Sequence, residues 1–276
     1  MTSPDQPSPD PPRYEQVSSR PSGFDDWLQA FKEQVSFFTG FKLAVGLPRW
    51  QLADVLPVLP VVGACIGLAV GLLFAIVRGL SGPGWLAGVI AIGAAVLITR
   101  ALHEDGLADT ADGLGPHGLD TARRLEIMRD SRNGTFGVLA LALTVLLKVA
   151  CLAKFGSSTG LVVLIAVHAV SRAAIAIPLL ALSPVRSDGL GARTGKPTDN
   201  DVWLAVGIGV ALAFLLLLGK GLLVALLAPL LAVAAAWVAA LWMAERIGGY
   251  TGDTLGAVQQ IAEITFLVIA ALLIAR

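Results

Sequence analysis

The sequence predicts an all-α fold, a polytopic membrane helical bundle of about seven transmembrane helices with an N-terminal interfacial amphipathic helix. Of its 276 residues, 55% are hydrophobic and only 14% are charged, whereas an ordinary soluble domain carries about 25% charged residues. The apolar residues fall into runs long enough to cross a bilayer. The 20 basic and 20 acidic side chains cancel, so no net field favours a polyanionic partner. A soluble enzyme, a nucleic-acid-binding protein and a disordered scaffold are excluded together.

The N-terminal part divides into two segments of different composition. Residues 1–23 are rich in Pro, Ser and Asp and are predicted to be a disordered tail, because they hold too little apolar area to fold. Residues 24–276 are predicted to form one integral membrane catalytic domain. In residues 24–45 the apolar side chains, among them Phe24, Trp27 and Phe31, recur at helical spacing between charged ones. That pattern indicates a helix lying on the membrane surface.

Seven apolar runs follow and are the candidate membrane spans. The last of them is short and has Glu263 in its predicted first turn. The predicted runs lie near residues 57–77, 85–101, 136–153, 160–182, 202–218, 221–243 and 261–275.

The distribution of Lys and Arg predicts the orientation of these spans. With seven spans, 14 of the 20 basic residues lie on the side of the N-terminus and the long connectors, and 4 lie on the opposite side. Short cytoplasmic loops are the ones enriched in basic residues. We therefore expect a multi-pass protein of the cytoplasmic (inner) membrane, with the N-terminus and all the polar motifs described below on the cytoplasmic side.

The densest polar motif is HEDGLADTADG at residues 103–113. Asp105, Asp109 and Asp112 are spaced i, i+4 and i+7, so on a helix they share a stripe of about 60°. Three carboxylates on one stripe repel one another unless a cation lies between them. Oxygen ligands without cysteine suit a hard ion such as Mg²⁺. The alternative is a solvated loop, since Gly106 and Gly113 weaken a helix.

The next motif, DTARRLEIMRDSRNGTFG at residues 120–137, combines basic and turn-forming residues. Asp120 or Thr121 is predicted to cap a short helix. Arg129 and Arg132 could bind phosphate, and the turn at Asn133 and Gly134 could direct backbone amides at an oxyanion. The alternative, basic side chains at the membrane interface, accounts for Arg123 and Arg124.

Two further regions carry polar residues near or within the spans. The loop SPVRSDGLGARTGKP offers Arg193 and Lys196 as phosphate or substrate ligands, unless it is a plain connector. His168 and Arg172, at i and i+4 inside the fourth span, need a polar partner or line the site.

The final polar stretch is GGYTGDTLGAVQQIAE at residues 248–263. Asp253 is either only the N-cap of the last span or a site residue. Asp253, Gln260 and Glu263 lie close in helical phase, which favours a second polar stripe facing a site between helices.

These motifs resemble those of the cobalamin synthase family, the adenosylcobinamide-GDP ribazoletransferases. The resemblance spans most of residues 35–276 and is carried by HEDGLADTADG, EIMRDSRNGTFG, ARTGK and GGYTGDTLGA. It implies a membrane enzyme that joins adenosylcobinamide-GDP to α-ribazole, or to α-ribazole 5′-phosphate, and releases GMP. The implied partners are these small-molecule substrates and the lipid bilayer, with no nucleic acid.

The resemblance also implies roles for the candidate residues. Asp105, Asp109 and Asp112 would hold the Mg²⁺ cofactor against the diphosphate. Asp130 or Asp253 would complete the metal shell or accept the proton of the attacking hydroxyl. The substrate-binding residues would be Arg129, Arg132, Asn133, Gly134, Arg172, Arg193, Lys196 and Glu263.

Two other functions fit parts of the pattern. The acidic spacing is similar to that of CDP-alcohol phosphotransferases, which are also membrane enzymes that cleave a pyrophosphate. A secondary transporter would use intramembrane acids with Arg172 and His168 as an ion pathway. The crowding of charges at one membrane face argues against the transporter.

Overall fold

The computed structural model describes residues 20–44, 46, 48–130 and 132–274. The predicted disordered tail therefore lies, up to residue 19, outside the described residues. In the described part of the chain the regular structure is helical, as the composition predicts. The helices are α1 (Phe24–Phe38), α2 (Leu59–Gly79), α3 (Gly84–Thr99), α4 (Leu102–Leu114), α5 (Thr121–Ile127), α6 (Thr135–Leu152), α7 (Ser157–Ala174), α8 (Gly189–Ala192), α9 (Asp199–Leu217), α10 (Leu222–Ile247) and α11 (Gly252–Leu273).

Among the residues that the structure describes, about seven helices are long and apolar enough to cross a membrane, which confirms the predicted fold class. Six of them, α2, α6, α7, α9, α10 and α11 (three counted with adjoining 3₁₀ turns), are long and apolar enough alone, and α3 passes the same test together with α4, from which it is bent by 91°. The first turn of α3 lies against Ala153 at the end of α6. Its last turn bonds to the segment after α1, where the Gly40 amide donates to the Ile98 carbonyl over 2.8 Å. Thus α3 runs from one end of the bundle to the other, and α4 turns away from it.

The last span begins earlier than the hydrophobic run predicts. The run starts near residue 261, but α11 begins at Gly252 and carries Glu263 in its middle. The polar side chains Gln259, Gln260 and Glu263 are all buried in the bundle. Such residues face the interior of a membrane protein rather than lipid, so hydropathy alone places the start of this helix too late.

The outer surface of the bundle is apolar. On α6 alone, Leu139, Leu143 and Leu146 are at least half exposed. In water such a surface would be costly, whereas lipid tails solvate it. The exposed side chains therefore mark the faces of the helices that contact the bilayer.

Close packing of α2 against α7 forms the centre of the bundle. Gly63 and Gly67 lie one turn apart on α2, and a Cβ at either position would stand 2.1 or 2.3 Å from a backbone carbonyl oxygen of α7. Small residues at four-residue spacing allow membrane helices to approach this closely. The two helices provide a rigid support for the elements at their ends.

The polar connectors meet at one end of the bundle, which we call the polar end. Ala53 donates from its amide to the carbonyl of Thr194 over 2.7 Å, and Thr194 shares a 2.6 Å hydrogen bond with Tyr250. The hydroxyl of Thr121 donates to the carbonyl of Arg246 over 3.3 Å. Four connectors that are distant in sequence therefore lie together, as the predicted topology requires.

Candidate active site

The acidic motif forms a helix at the polar end. Residues Leu102–Leu114 are helical, so the alternative of an irregular loop is wrong. A glycine is needed at position 106, because a Cβ there would stand 2.7 Å from the carbonyl oxygen of Asp253 on α11. The close approach of α4 to α11 brings Asp253 to the side of Asp105 and Asp109.

These carboxylates repel one another. Burial, and next the charges of Asp105, Asp253 and Asp112, raise the pKa of Asp109 to about 7. Asp105 is exposed, whereas Asp109 and Asp253 are half-buried. The cluster therefore carries negative charge that a bound cation would relieve.

Asp112 has a partner of a different kind. One oxygen of its carboxylate accepts the amide of Gly134 over 2.7 Å, and the other accepts the amide of Gly137 over 2.8 Å. Both amides lie at the N-terminal end of α6, where a carboxylate is favoured by the helix dipole. The amides near Asn133 do bind an oxyanion, but in this structure it is the side chain of Asp112. The exposed side chain of Asn133 takes no part in this contact.

Asp253 follows the cap of α11 and is not the cap itself. The hydroxyl of Thr251 accepts the amide of Thr254 at the start of the helix, which settles that alternative. Asp253 instead lines a pocket at the polar end together with residues of the loop after α7 and of the turn before α11. The lining residues are Pro184, Arg186, Asp188, Gly189, Gly191, Ala192, Tyr250, Thr251, Gly252 and Asp253.

Two of the predicted phosphate ligands, Arg129 and Arg132, are paired with acids. Arg129 donates to both carboxylate oxygens of Asp188, over 2.8 and 3.0 Å. Arg132 pairs with Asp130 over 2.6 Å, and the hydrogen bonds from Arg132 lower the pKa of Asp130 to about 2. In this structure the carboxylate of Asp130 is therefore held by the neighbouring Arg132.

The chain between α8 and α9 carries two of the predicted ligands. Arg193 and Lys196 are both exposed. Gly195, between them, has a φ of 77°, a left-handed conformation that glycine adopts without strain. These two residues remain predicted ligands at the rim of the site.

Arg172 and Glu263 lie inside the bundle, where they bind each other and neighbouring polar groups. Arg172 is 3.2 Å from Glu263, and Lys148 on α6 is 2.7 Å from the other oxygen of Glu263. Gln259 donates to Glu263 over 2.6 Å, and Arg172 contacts His168 within 2.5 Å. Arg172 and Glu263 are at most 3% exposed, and each is bound to other protein side chains. Their direct contact with substrate stays a prediction.

This buried network extends to the acid-bearing helix. Gln260 accepts from Lys148 over 2.7 Å and donates to Glu104 over 3.0 Å, and Glu104 directly precedes Asp105. Both ring nitrogens of His103, on the same helix, are buried without a hydrogen-bond partner among the described protein atoms. The network therefore ties α4 to α6 and α11 just below the acid cluster.

Sequence analysis missed Lys148, Glu104 and Arg186. Lys148 is a lone charge inside an apolar run, which is an available signal because an unpaired charge there costs about 2.5–3.5 kcal/mol on insertion scales. Glu104 lay within the acidic motif but off its stripe. Arg186 lay in the basic loop, where only the tertiary contact with Asp253 distinguishes it.

The donor set at the polar end fits a magnesium ion held jointly with a substrate. Among the residues that the structure describes, no three His, Cys, Asp or Glu side chains are close enough to hold a metal ion alone. Mg²⁺ is usually bound by one or two carboxylates together with substrate phosphates. Burial, and next the charges of the neighbouring acids, raise the pKa of Asp109, and a bound cation would lower it again.

Comparison with known proteins identifies the family. Residues 30–271 match the family described as cobalamin-5-phosphate synthase. The chain belongs to that family. All four motifs that carried the resemblance fall inside the matched residues, so the expectation from sequence is confirmed, and the chain is an enzyme of this kind.

Two relatives of this cobalamin-5-phosphate synthase family member carry the name adenosylcobinamide-GDP ribazoletransferase. One from Allorhizobium ampelinum is 46% identical over 75% of this chain and 82% of its own length. One from Bradyrhizobium diazoefficiens is 43% identical over 77% of this chain and 81% of its own. No solved structure matches the chain.

Proposed function

We propose that this enzyme joins adenosylcobinamide-GDP to α-ribazole or α-ribazole 5′-phosphate and releases GMP. The observation that carries the proposal is the cluster of Asp105, Asp109 and Asp253 beside a pocket at the polar end, in a member of this family. In the reaction a hydroxyl oxygen of the acceptor bonds to the phosphorus next to cobinamide. The bond from that phosphorus to the bridging oxygen breaks, and the oxygen leaves with GMP.

Asp105, Asp109 and Asp253 are the side chains that we propose to hold Mg²⁺. When bound, Mg²⁺ neutralises charge on the diphosphate and on the departing GMP. Asp112, the third acid of the predicted stripe, already accepts two backbone amides. We assign it the task of fixing α6 against α4, so that the turn before α6 keeps its position relative to the other acids.

The proton of the attacking hydroxyl needs an acceptor. Asp130 is a weak base because its pKa is lowered to about 2 by Arg132, and catalysis favours a base whose pKa lies nearer to the working pH. Asp253, which lines the pocket, is the acceptor that we propose, through the carboxylate oxygen that does not hold Mg²⁺. The hydrogen bond from the Thr251 hydroxyl to Asp253, 3.2 Å long, orients this carboxylate.

Arg129, Arg132, Arg193 and Lys196 are proposed to bind substrate phosphates. Arg129 and Arg132 are 56% and 86% exposed in their present ion pairs. Exposed ion pairs contribute only about 0–1 kcal/mol, so a phosphate can replace either acid at little cost.

We propose that the polar end faces the cytoplasm across the inner membrane, because 14 of 20 basic residues lie on that side. A phosphatase domain fused directly after Leu273 tests the orientation. Active phosphatase outside the cytoplasm is expected, and a fluorescent cytoplasmic reporter at the same position should remain dark. The reverse result would place the acid cluster on the wrong side of the membrane.

The activity is tested by following GMP release from the purified protein supplied with adenosylcobinamide-GDP and α-ribazole, with and without Mg²⁺. Release is expected only when all three are present. Asp109→Asn should remove it while the protein remains folded, and Asp25→Asn, an exposed acid on α1, should keep it. Substantial GMP release by Asp109→Asn would reject the assignment.

Two further arms separate the other candidate functions. CMP release from CDP-diacylglycerol in place of GMP release from adenosylcobinamide-GDP would indicate a CDP-alcohol phosphotransferase. Ion flux in liposomes without any nucleotide cleavage would indicate a transporter.

A further inference from the structure

Arg186 links three elements of the polar end with one side chain. It lies in the loop between α7 and α8, and its side chain is only 16% exposed. One terminal nitrogen donates to the carbonyl of Leu125 on α5 over 2.6 Å. The other terminal nitrogen is 3.5 Å from the carboxylate of Asp253 on α11.

The guanidinium of Arg186 is fixed by one hydrogen bond, and its other N–H groups form no strong hydrogen bond to described protein atoms. The Nε atom of Arg186 is buried and has no hydrogen-bond partner among the described protein atoms. The 3.5 Å approach to Asp253 is an ion pair at the limit of hydrogen-bond length. A guanidinium offers five N–H donors in a planar fork that matches a phosphate. Arg186 therefore makes one strong bond and has the remaining donors beside the pocket.

The position of Arg186 also affects the acid cluster. Its positive charge opposes the repulsion among the carboxylates at Asp109. A cation bound by Asp253 and Asp109 and the guanidinium of Arg186 would therefore compete for the same negative charge. The cation and the guanidinium would both be neutralised if a negatively charged group bound Arg186 when the cation binds to Asp253 and Asp109.

We propose that Arg186 is a substrate-binding residue that pairs with Asp253 in the substrate-free enzyme and with a phosphate of the diphosphate substrate once the substrate is bound. The exchange frees Asp253 for the cation and couples cation binding to substrate binding. The inference rests on the proposed function. It adds Arg186 to the substrate-binding residues and links its release of Asp253 to the binding of the diphosphate.

Metal binding without substrate is the first test. Binding of Mn²⁺, a spin-active substitute for Mg²⁺, is measured by electron paramagnetic resonance on the purified full-length protein. Arg186→Gln should bind Mn²⁺ about 2- to 5-fold more tightly, because a competing partially exposed ion pair has been removed. Arg123→Gln, an exposed arginine paired with Glu126, is the matched control and should leave Mn²⁺ affinity unchanged.

Steady-state kinetics are the second test. Arg186→Gln should raise KM for adenosylcobinamide-GDP about 10- to 100-fold, the loss of charge-assisted hydrogen bonds, with KM for α-ribazole unchanged. Arg186→Lys should lie in between, because an ammonium keeps the charge without the fork. If Arg186→Gln does not fold, Arg186→Lys is measured in its place.

The outcomes separate this inference from the proposed function. An unchanged KM for adenosylcobinamide-GDP, or weaker Mn²⁺ binding that accompanies a lower melting temperature, would overturn the role of Arg186. Absence of GMP release from the unmodified protein would instead reject the proposed function, and the Mn²⁺ measurement would still decide whether Arg186 competes for Asp253.

Discussion

Glu263 offers the most stringent test of the buried charge network. Its carboxylate lies 2.7 Å from Lys148 and 3.2 Å from Arg172, and it accepts from Gln259 over 2.6 Å. Glu263→Gln keeps the shape but removes the charge, and it places an amide nitrogen next to groups that are themselves donors. Removing one partner of a buried ion pair costs about 3–5 kcal/mol, because the remaining charge stays uncompensated.

That loss is measurable by thermal unfolding of the purified protein in detergent. At about 2–4 °C per kcal/mol for a chain of this size, Glu263→Gln should lower Tm by about 6–20 °C. Glu126→Gln is the matched control, since Glu126 is 69% exposed, and its Tm should stay within about 2 °C of the parent. The same small shift for Glu263→Gln would refute the reasoning.

A double variant separates charge from packing. Lys148→Met combined with Glu263→Gln removes one charge of each sign and leaves Arg172 to interact with Glu104. Because the two residues are in contact, their effects should not add, and a coupling of about 0.5–3 kcal/mol is expected. Strict additivity would show that Lys148 and Glu263 do not stabilise each other.

Three other predictions concern α4 and its neighbours. In EDTA, Asp109→Asn should raise Tm at pH 8 more than at pH 5. The reason is that a carboxyl whose pKa is raised to about 7 in the folded protein destabilises the folded state increasingly as the pH rises from the pKa of the unfolded chain towards 7. Mg²⁺ should raise the Tm of the parent but not of this variant, and equal Tm shifts at both pH values would contradict the raised pKa. Asp112→Ala should lower Tm, because it leaves the amides of Gly134 and Gly137 without an acceptor, at a cost of about 1–3 kcal/mol for each. The affinity for Mn²⁺ should change less in Asp112→Ala than in Asp109→Asn. A larger loss of Mn²⁺ affinity in Asp112→Ala would make Asp112 the metal ligand. Gly106→Ala should place a Cβ against the backbone at Asp253 and reduce GMP release at least about 10-fold in a folded protein, since even small displacements of catalytic groups are costly. Gly93→Ala is the control, because a Cβ at Gly93 would meet nothing within 4 Å. Equal activity of the two variants would contradict the close approach of α4 to α11.

Much of the fold was predictable because membrane helices are marked by local signals. The apolar runs predicted seven crossings, and the described part of the chain has six long apolar helices plus the bent pair of α3 and α4. Residue type predicted a cap at Asp120 or Thr121, and the structure shows that Asp120 is the cap, its side chain accepting the amide of Arg123 over 2.8 Å. The early start of α11 was missed, since hydropathy cannot tell a polar face turned inward from a polar loop.

The site was predictable only in part. Spacing placed Asp105 and Asp109 on one face of a helix, and helix α4 confirms that arrangement. Spacing also placed Asp112 there, but its carboxylate is bound to the amides of Gly134 and Gly137. Arg129 was predicted to hold phosphate, and in this structure it holds Asp188.

Composition and periodicity alone determined that this protein is a helical membrane bundle, and the motifs determined its family and which acids share a helix face. The tertiary structure decided which charges meet: Lys148 with Glu263, Asp112 with two amides, and Arg186 with Asp253. The division has a physical cause. Burial and helical phase depend on residues a few positions apart, whereas the partner of a charge depends on how distant helices pack, and no short stretch of sequence specifies that packing.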